Sequence, residues 1–471
     1  MRRAWALGLA LTCMLVAADR ASAHGLGGVR DLPVPGWLFF VGGATVLVVS
    51  FLALGVLWRE PQLDPARGRR FPGLVERILL SDALRIALGA FSVAFFFLLW
   101  AAAAFGTERP SQNLAPTFVY VVFWVGMAVA VVVLGNVWSV LDPWRSAAGA
   151  VAWVARKRGI EHSPRPYPAG LGIWPAAFLL FSFTALELAY YDPAGPRVMA
   201  IAILVYSVVT WTGMAVYGRQ AWVTNGDGFS VYFEFLSRLA LFGTRERDGR
   251  RELVFRQPFS KLAQLEQRPG VVVFFAVMLG TVAFDGLSRS SKWVDRIADL
   301  KLSFSDPATA DRVASLVYLA ALILMIAFVA LAYLAAIKAA EHILGTGESL
   351  AGVFVASLVP IAFVYALSHY FSLLVVQGQF AIPLLSDPYG SGRDLLGTAD
   401  YEPKLDVFSP NTYWYVQVIA LVIGHVIALV VAHDRAVAVS PSPKVALRTQ
   451  YTMLALMVLY TVGGMWLLSI G

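Results

Sequence analysis

Four ionisable residues lie inside strongly apolar stretches of this sequence: Glu187, Asp285, His369 and His425. A charge in membrane hydrocarbon costs about 3 kcal/mol or more unless it pairs or binds something, so such residues mark candidate functional sites. At a rise of about 1.5 Å per helical residue, the first three share the outer third of the apolar layer, on three different helices. His425 lies near mid-depth.

One histidine and two carboxylates at one depth could hold a divalent metal ion and leave a position open for water. Metal-bound water ionises near neutral pH and can then act as a nucleophile. Glu187, Asp285 and His369 are therefore predicted to form a metal site with a catalytic role. His24, if it becomes the amino terminus, offers an amine and a ring nitrogen as a further ligand.

Each of these residues also has a simpler interpretation. Asp285 could cap a helix end, Glu187 could pair with Arg197, and His369 could be a hydrogen-bonded interior residue. His24 could follow the cleavage site by coincidence. These alternatives stay open at the level of sequence, and the shared depth of three residues is what favours a site.

The elements that must position these residues begin after a leader. Residues 1–23 have a basic start at Arg2 and Arg3, an apolar stretch over 4–18, and small residues before His24. This is the pattern of a cleavable signal peptide, and the alternative is an uncleaved first helix. The single cysteine, Cys13, lies in the leader, so the mature chain of residues 24–471 has no thiol for disulfides, zinc or iron–sulfur clusters.

The composition indicates a chain built for a lipid bilayer. It is 58% hydrophobic and only 14% charged, whereas soluble domains are about one-quarter charged. A span needs about 20 apolar residues, and this rule predicts an all-α polytopic transmembrane helix bundle of about ten spans. The predicted spans are 36–58, 84–106, 116–135, 171–191, 198–218, 271–287, 312–337, 350–376, 412–432 and 449–470.

The distribution of basic residues predicts the orientation. With the mature amino terminus outside, the cytoplasmic loops hold 24 Lys and Arg residues and the outer segments hold 10. Positive charge concentrates on the cytoplasmic side of membrane proteins, so both termini are predicted on the outer, periplasmic side. The net charge of +7 is explained by these short loops, and no nucleic-acid partner is expected.

Two loops are more than simple connections. The cytoplasmic loop 219–269 contains an aromatic-rich stretch, 228–243, in which Glu234 and Arg238 are spaced to pair on a helix. That stretch is predicted either to lie in the membrane interface or, as we favour, to pack under the bundle. The outer loop 377–411 is long enough to be a lid or binding loop.

Motifs of common soluble enzymes, such as the phosphate-binding GxxxxGK[ST], HExxH and GxSxG, do not occur in the sequence. Instead, several stretches resemble a family of bacterial membrane proteins often labelled fenitrothion hydrolase. The resemblance covers the mature chain and is carried by HGLGGVRDL (24–32), TVAFDGLS (281–288), LSHYFSLLVVQGQ (367–379), SPNTYWYVQ (409–417), GHVIALVVAHDR (424–435) and YTMLALMVLYTVGGMW (451–466).

The resemblance implies a hydrolase of the bacterial inner membrane that cleaves organophosphorus triesters such as aryl phosphorothioates. Its apolar substrate would reach the site from the bilayer, and a metal ion would polarise the phosphoryl group while hydroxide attacks. The site would use Asp285, His369 and Glu187, with His24 as a fourth ligand and His425 handling protons nearby. The resemblance also implies a second, outer-facing subunit.

A transporter or permease is the main alternative. It would use the same buried Glu, Asp and His residues as a proton or ion relay. Helices broken in both halves of the chain would favour it. Val359-Pro360 interrupts the eighth span, and the sequence of the first half has no evident matching break.

Sequencing the amino terminus of the purified chain tests the leader. We expect His24 as the first residue, because small residues at positions −3 and −1 direct signal-peptide cleavage. A chain that starts at Met1 would contradict the cleaved leader and remove the terminal chelate.

Overall fold

The computed structural model of the chain describes residues 36–344 and 349–470. Within them lie ten helical segments long and apolar enough to cross a membrane. The predicted all-α polytopic bundle of about ten spans is therefore confirmed. The predicted signal peptide and His24 lie outside the described residues.

The α-helices, in chain order, are α1 (Gly36–Leu57), α2 (Leu74–Leu79), α3 (Asp82–Phe105), α4 (Leu114–Thr117), α5 (Met127–Leu134), α6 (Trp138–Leu141), α7 (Pro143–Lys157), α8 (Trp174–Ala189), α9 (Pro196–Tyr217), α10 (Arg219–Asn225), α11 (Gly228–Ser237), α12 (Val271–Ser288), α13 (Ser291–Leu302), α14 (Pro307–Leu344), α15 (Ala351–Phe354), α16 (Leu358–Val376), α17 (Ala381–Ser386), α18 (Pro410–Val439) and α19 (Pro443–Ile470). A π-helix (Phe118–Gly126) joins α4 to α5 in the third span. Short 3-10 turns are Pro110–Gln112, Ala169–Leu171, Ser260–Gln264, Val355–Ser357 and Gln377–Phe380.

Three short strands form a small antiparallel sheet at one end of the bundle, which we call the sheet end. They are β1 (Gly68–Arg70), β2 (Phe242–Arg247) and β3 (Arg250–Arg256), in the order β1-β3-β2. Arg70 donates to both carboxylate oxygens of Glu76 at 3.2 and 3.0 Å, and Glu76 accepts the backbone N–H of Leu253. The hydrogen bond from Arg70 holds the pKa of Glu76 below its usual value. This contact fixes α2 against β3.

The opposite end of the bundle carries the long loop of residues 387–409, and we call it the loop end. The predicted loop 377–411 begins with helical turns through α17, and its irregular part is held by its own hydrogen bonds. Asp387 accepts the backbone N–H groups of Ser391 and Gly392 at 2.9 and 2.6 Å. Gln379 accepts the backbone N–H of Lys404 at 3.0 Å. The loop is thus a folded cap on this end of the bundle.

Helix α12 is the central element of the bundle. Every residue from Phe274 to Gly286 is buried, and the helix packs against α8, α14 and α16. A helix that is apolar on all sides is expected in such a core position. Asp285, near its loop end, is therefore enclosed by other helices and shielded from surrounding lipid.

The aromatic stretch 228–243 packs against the rest of the chain. The structure makes it helix α11 followed by the start of β2, and α11 is buried on all sides but Glu234. Its aromatic side chains cover the whole circumference of the helix and require apolar neighbours all round. The predicted pair is present, with Arg238 Nε donating to Glu234 at 2.9 Å.

A buried polar junction ties three spans together at the sheet end. Asp434 of α18 accepts three hydrogen bonds on one oxygen, from the indole N–H of Trp58 at 3.1 Å and from the backbone N–H groups of Gln62 and Leu63 at 2.6 and 3.2 Å. The neighbouring His433 contacts Gln450 of α19 at 2.9 Å. The junction anchors the chain after α1 to the last two helices.

Replacing Asp434 by Ala should lower the free energy of unfolding by about 3 kcal/mol, because three donors lose their shared acceptor. Asp434→Asn is the matched control, since it keeps an acceptor oxygen and should cost clearly less. Unfolding of the purified chain in detergent measures both. Equal stability of Asp434→Ala and the unaltered chain would contradict the role of this junction.

Candidate functional site

Asp285 is the centre of a buried charged cluster near the loop end. Its side chain is 3% exposed. Its two oxygens accept hydrogen bonds from Nε and Nη2 of Arg289, one helical turn on, at 2.9 and 3.1 Å. This two-point geometry is the strongest form of Arg–carboxylate pairing and neutralises the aspartate. Asp285 is therefore an ion-pair partner, and it does not cap its helix.

His369 of α16 completes the pair from a second helix. Its Nε2 lies 2.9 Å from Asp285 Oδ2, and an ionised Asp285 accepts the Nε2–H hydrogen bond. The neighbouring Gly286 lets Leu467 approach closely, because a Cβ at that position would lie 3.3 Å from Leu467 Cβ. The predicted meeting of Asp285 and His369 is present.

Glu187 of α8 faces this cluster from a third helix. Its Oε2 atom is buried and has no hydrogen-bond partner, and the charges of Asp285 and Arg289 act on it. The alternative partner, Arg197, instead donates to backbone carbonyls of Ala103 and Gly106 and pairs with Glu108. Glu187 is thus left with an unsatisfied carboxyl oxygen beside an internally paired cluster.

A small cavity lies next to the cluster. It has a volume of about 10 Å³ and is lined by aromatic and aliphatic side chains, among them Trp124, Tyr232, Phe363 and Tyr370. The hydroxyl of Tyr370, which follows His369 in the chain, is buried without a hydrogen-bond partner. A volume of this size has room for about one water molecule.

His425, the other histidine of the sequence hypothesis that the structure describes, does not join the cluster. His425 is buried on α18, where its Nδ1–H donates to the carbonyl of Leu421 at 2.8 Å, and its Nε2 has no partner. None of its contacts in the described structure reaches Asp285 or His369. His24 lies outside the described residues.

The arrangement does not favour the predicted metal ion. Both oxygens of Asp285 are engaged by Arg289 and His369, and a guanidinium beside a metal ion is repelled by it. In residues 36–344 and 349–470, no three His, Cys, Asp or Glu side chains converge as a metal site requires. A metal on Glu187, Asp285 and His369 stays a prediction that requires Arg289 to move away.

Sequence reasoning missed two members of this site. Arg289 was detectable, because it follows Asp285 by four residues and such pairs meet on a helix. Tyr370 was not detectable from the sequence, because an apolar helix carries many aromatic residues. Only the packing shows which tyrosine hydroxyl lacks a hydrogen-bond partner.

No protein-family model, curated protein or solved structure matches this chain. The resemblance to the fenitrothion hydrolase-like family therefore stays a prediction. What the chain does has to be inferred from the site itself.

A double-mutant cycle on Asp285→Asn and His369→Gln tests the cluster. We expect a coupling of about 1 kcal/mol in the free energy of unfolding, because the two side chains share a buried hydrogen bond. The control cycle pairs Asp285→Asn with His425→Gln and should be additive within about 0.5 kcal/mol. Additivity in both cycles would show that the Asp285–His369 contact carries no energy.

Proposed function

We propose that the chain is a proton-coupled transporter of a bacterial inner membrane and that Glu187 takes up and releases the proton. The observation that carries the proposal is the buried oxygen of Glu187, which has no hydrogen-bond partner. A lone carboxylate in apolar surroundings requires a proton or a cation. Because Asp285 and Arg289 neutralise each other, Glu187 is the member of the site whose charge is left unbalanced.

Interruptions of the helices support this proposal. In the first half of the chain the third span changes to a π-helix at Phe118–Gly126. In the second half, the eighth span changes to a 3-10 turn at Val355–Ser357 before α16. Pro360 lies in the first turn of α16, where proline is tolerated. Broken helices in both halves are typical of transporters.

The orientation belongs to the same proposal. The sheet end carries most of the basic loops, which favours the cytoplasmic side for it and the outer side for the loop end. The Glu187 site and the adjoining cavity would then face outward. The exposed loop end offers the surface on which a second subunit would bind.

A hydrolase is the second candidate, because His369 is hydrogen-bonded to Asp285. A carboxylate that fixes an imidazole is the arrangement of a general base. His369 would take a proton from the water that attacks phosphorus in an apolar aryl phosphotriester, and Asp285 would stabilise the imidazolium. The bond from phosphorus to the aryl oxygen would break, and the phenolate would leave as the phenol after His369 returns the proton.

Proton flux into vesicles separates the two candidates. The full chain is reconstituted with an internal pH dye, and a potassium diffusion potential drives protons inward. We expect flux above that of protein-free vesicles, loss of this flux in Glu187→Gln, and full flux in Glu402→Gln, whose carboxylate is exposed on the loop end. Equal flux in Glu187→Gln and the unaltered chain would contradict the transporter.

The same preparation in detergent is then given a nitrophenyl phosphotriester. Release of nitrophenol that disappears in His369→Ala would favour the hydrolase instead.

A further inference from the structure

Two chain connections fold back into the bundle from the sheet end, and each begins a helix with a buried aspartate. Asp142 caps α7 by accepting the backbone N–H of Arg145 at 2.9 Å. Asp227 caps α11 by accepting the backbone N–H of Ser230 at 2.7 Å. The two aspartates are 1% and 0% exposed. Their capping uses one carboxylate oxygen each and leaves the other oxygen of each for another role.

The two aspartates are joined through one residue, Ser230, whose backbone N–H bonds Asp227 and whose hydroxyl bonds Asp142. Ser230 Oγ donates to Asp142 Oδ2 at 3.2 Å, and it accepts the indole N–H of Trp138 at 3.3 Å. Ser230 is the third residue of α11, so the capped start of that helix lies against Asp142. The starts of two helices therefore meet at a pair of carboxyl groups.

The pair lies beside the middle of a span. Tyr206 is the eleventh of the 22 residues of α9, and its hydroxyl donates to Asp227 Oδ1 at 3.1 Å. From the other connection, the indole N–H of Trp144 donates to Ser207 Oγ, also on α9, at 2.8 Å. Both aspartates are thereby placed inside the bundle, where bulk water does not stabilise their charge.

Two buried oxygens at this place have no partner. Asp227 Oδ2 accepts no hydrogen bond, and neither does Thr210 Oγ1, which is also fully buried. Thr210 lies one helical turn from Tyr206, and Gly213 on the same face adjoins the ring of Trp222 of α10. Thr210 therefore faces the turn between α10 and α11, which contains Asp227. The spare oxygens point to a missing positive ligand.

The positive charges around Asp142 and Asp227 do not fully neutralise the two carboxyl groups. Arg145 of α7 is the nearest cation, and its guanidinium donates to the Ser139 carbonyl and to Gln220, both at 3.3 Å. Tyr206 is the titratable group that faces the pair from α9. Within the part of the chain that the structure describes, neither aspartate has a salt-bridge partner. The charge of Asp227 acts on Asp142, and two buried carboxylates that repel each other resist being ionised together.

We propose that Asp142 and Asp227 form a proton-binding site that holds one shared proton, taken up from the sheet end and released as the pH rises above neutrality. The proton binds a carboxylate oxygen on uptake and returns to water on release, so no further reactant is needed. Burial and the neighbouring Asp227 raise the pKa of Asp142 to about 7, which places the exchange in the physiological range. The site is separate from the Glu187 cluster and does not depend on the proposed transport.

The pH dependence of unfolding tests the site, with its sign fixed by linkage. A carboxyl whose pKa is raised by folding stabilises the folded state most at low pH, and that stabilisation is lost as the pH rises from the unfolded-state value to the folded-state value. The Tm of the full chain in detergent should therefore fall by about 1 °C or more per pH unit between about pH 4 and about pH 7, and it should level off above that range.

The variants Asp142→Asn and Asp227→Asn remove the titration but keep the cap, because asparagine caps helices as well as aspartate does. We expect the slope of Tm against pH to flatten in both. The control is Asp306→Asn: Asp306 is an exposed capping aspartate that accepts the Thr309 N–H at 2.9 Å, and its loss should leave the slope unchanged. An unchanged slope in Asp142→Asn and Asp227→Asn would overturn the proposal.

Infrared difference spectra of the unaltered chain give a second readout that does not depend on the folding of any variant. Raising the pH from about 6 to about 8.5 should remove one C=O band of a protonated carboxyl. That band should be absent from Asp142→Asn where this variant folds. A spectrum of the unaltered chain without such a band would also overturn the proposal.

Discussion

Hydrocarbon offers no hydrogen-bond partners, so each polar group inside this bundle must find its partner within the chain. The chain meets this constraint with single side chains that each make several hydrogen bonds. Asp434 accepts three, and Asn113 donates to the Ala102 and Thr107 carbonyls while it accepts the Ala115 N–H. A buried carboxyl oxygen without a hydrogen-bond partner is therefore informative about function. Glu187 and Asp227 each have one such oxygen.

The two acidic sites lie in different parts of the bundle, and helix α11 runs between them. At its start it is capped by Asp227, and further along Tyr232 stacks on Trp124 at 4.8 Å beside the cavity. Phe229 contacts Phe183 of α8 at 5.1 Å, and Phe183 precedes Glu187 by one helical turn. Aromatic rings thus lie between the two proposed proton sites.

Sequence was sufficient for the spans, because apolar length is a direct physical requirement of the bilayer. It was also sufficient to select Asp285 and His369, whose depth along two helices agreed. It failed at Asp142 and Asp227, which lie in segments too polar to be spans and were therefore assigned to cytoplasmic loops without a site. Hydropathy cannot show that a loop turns back into a bundle, since helix caps and aromatic packing decide this.

The π-helical segment of the third span has a mechanical consequence. Because Phe118–Gly126 is bonded from each residue to the fifth one along, its turns are wider than those of the flanking α-helix. If that segment tightened into an α-helix, one residue would be expelled from the turn, and α5 would rotate by roughly 100° about its axis. Such a twist would carry Trp124 away from the cavity wall and break the bond from Tyr120 to the Pro193 carbonyl. The third span would thereby have two arrangements, which differ by a rotation of α5 about its axis and leave the lengths of the neighbouring helices unchanged.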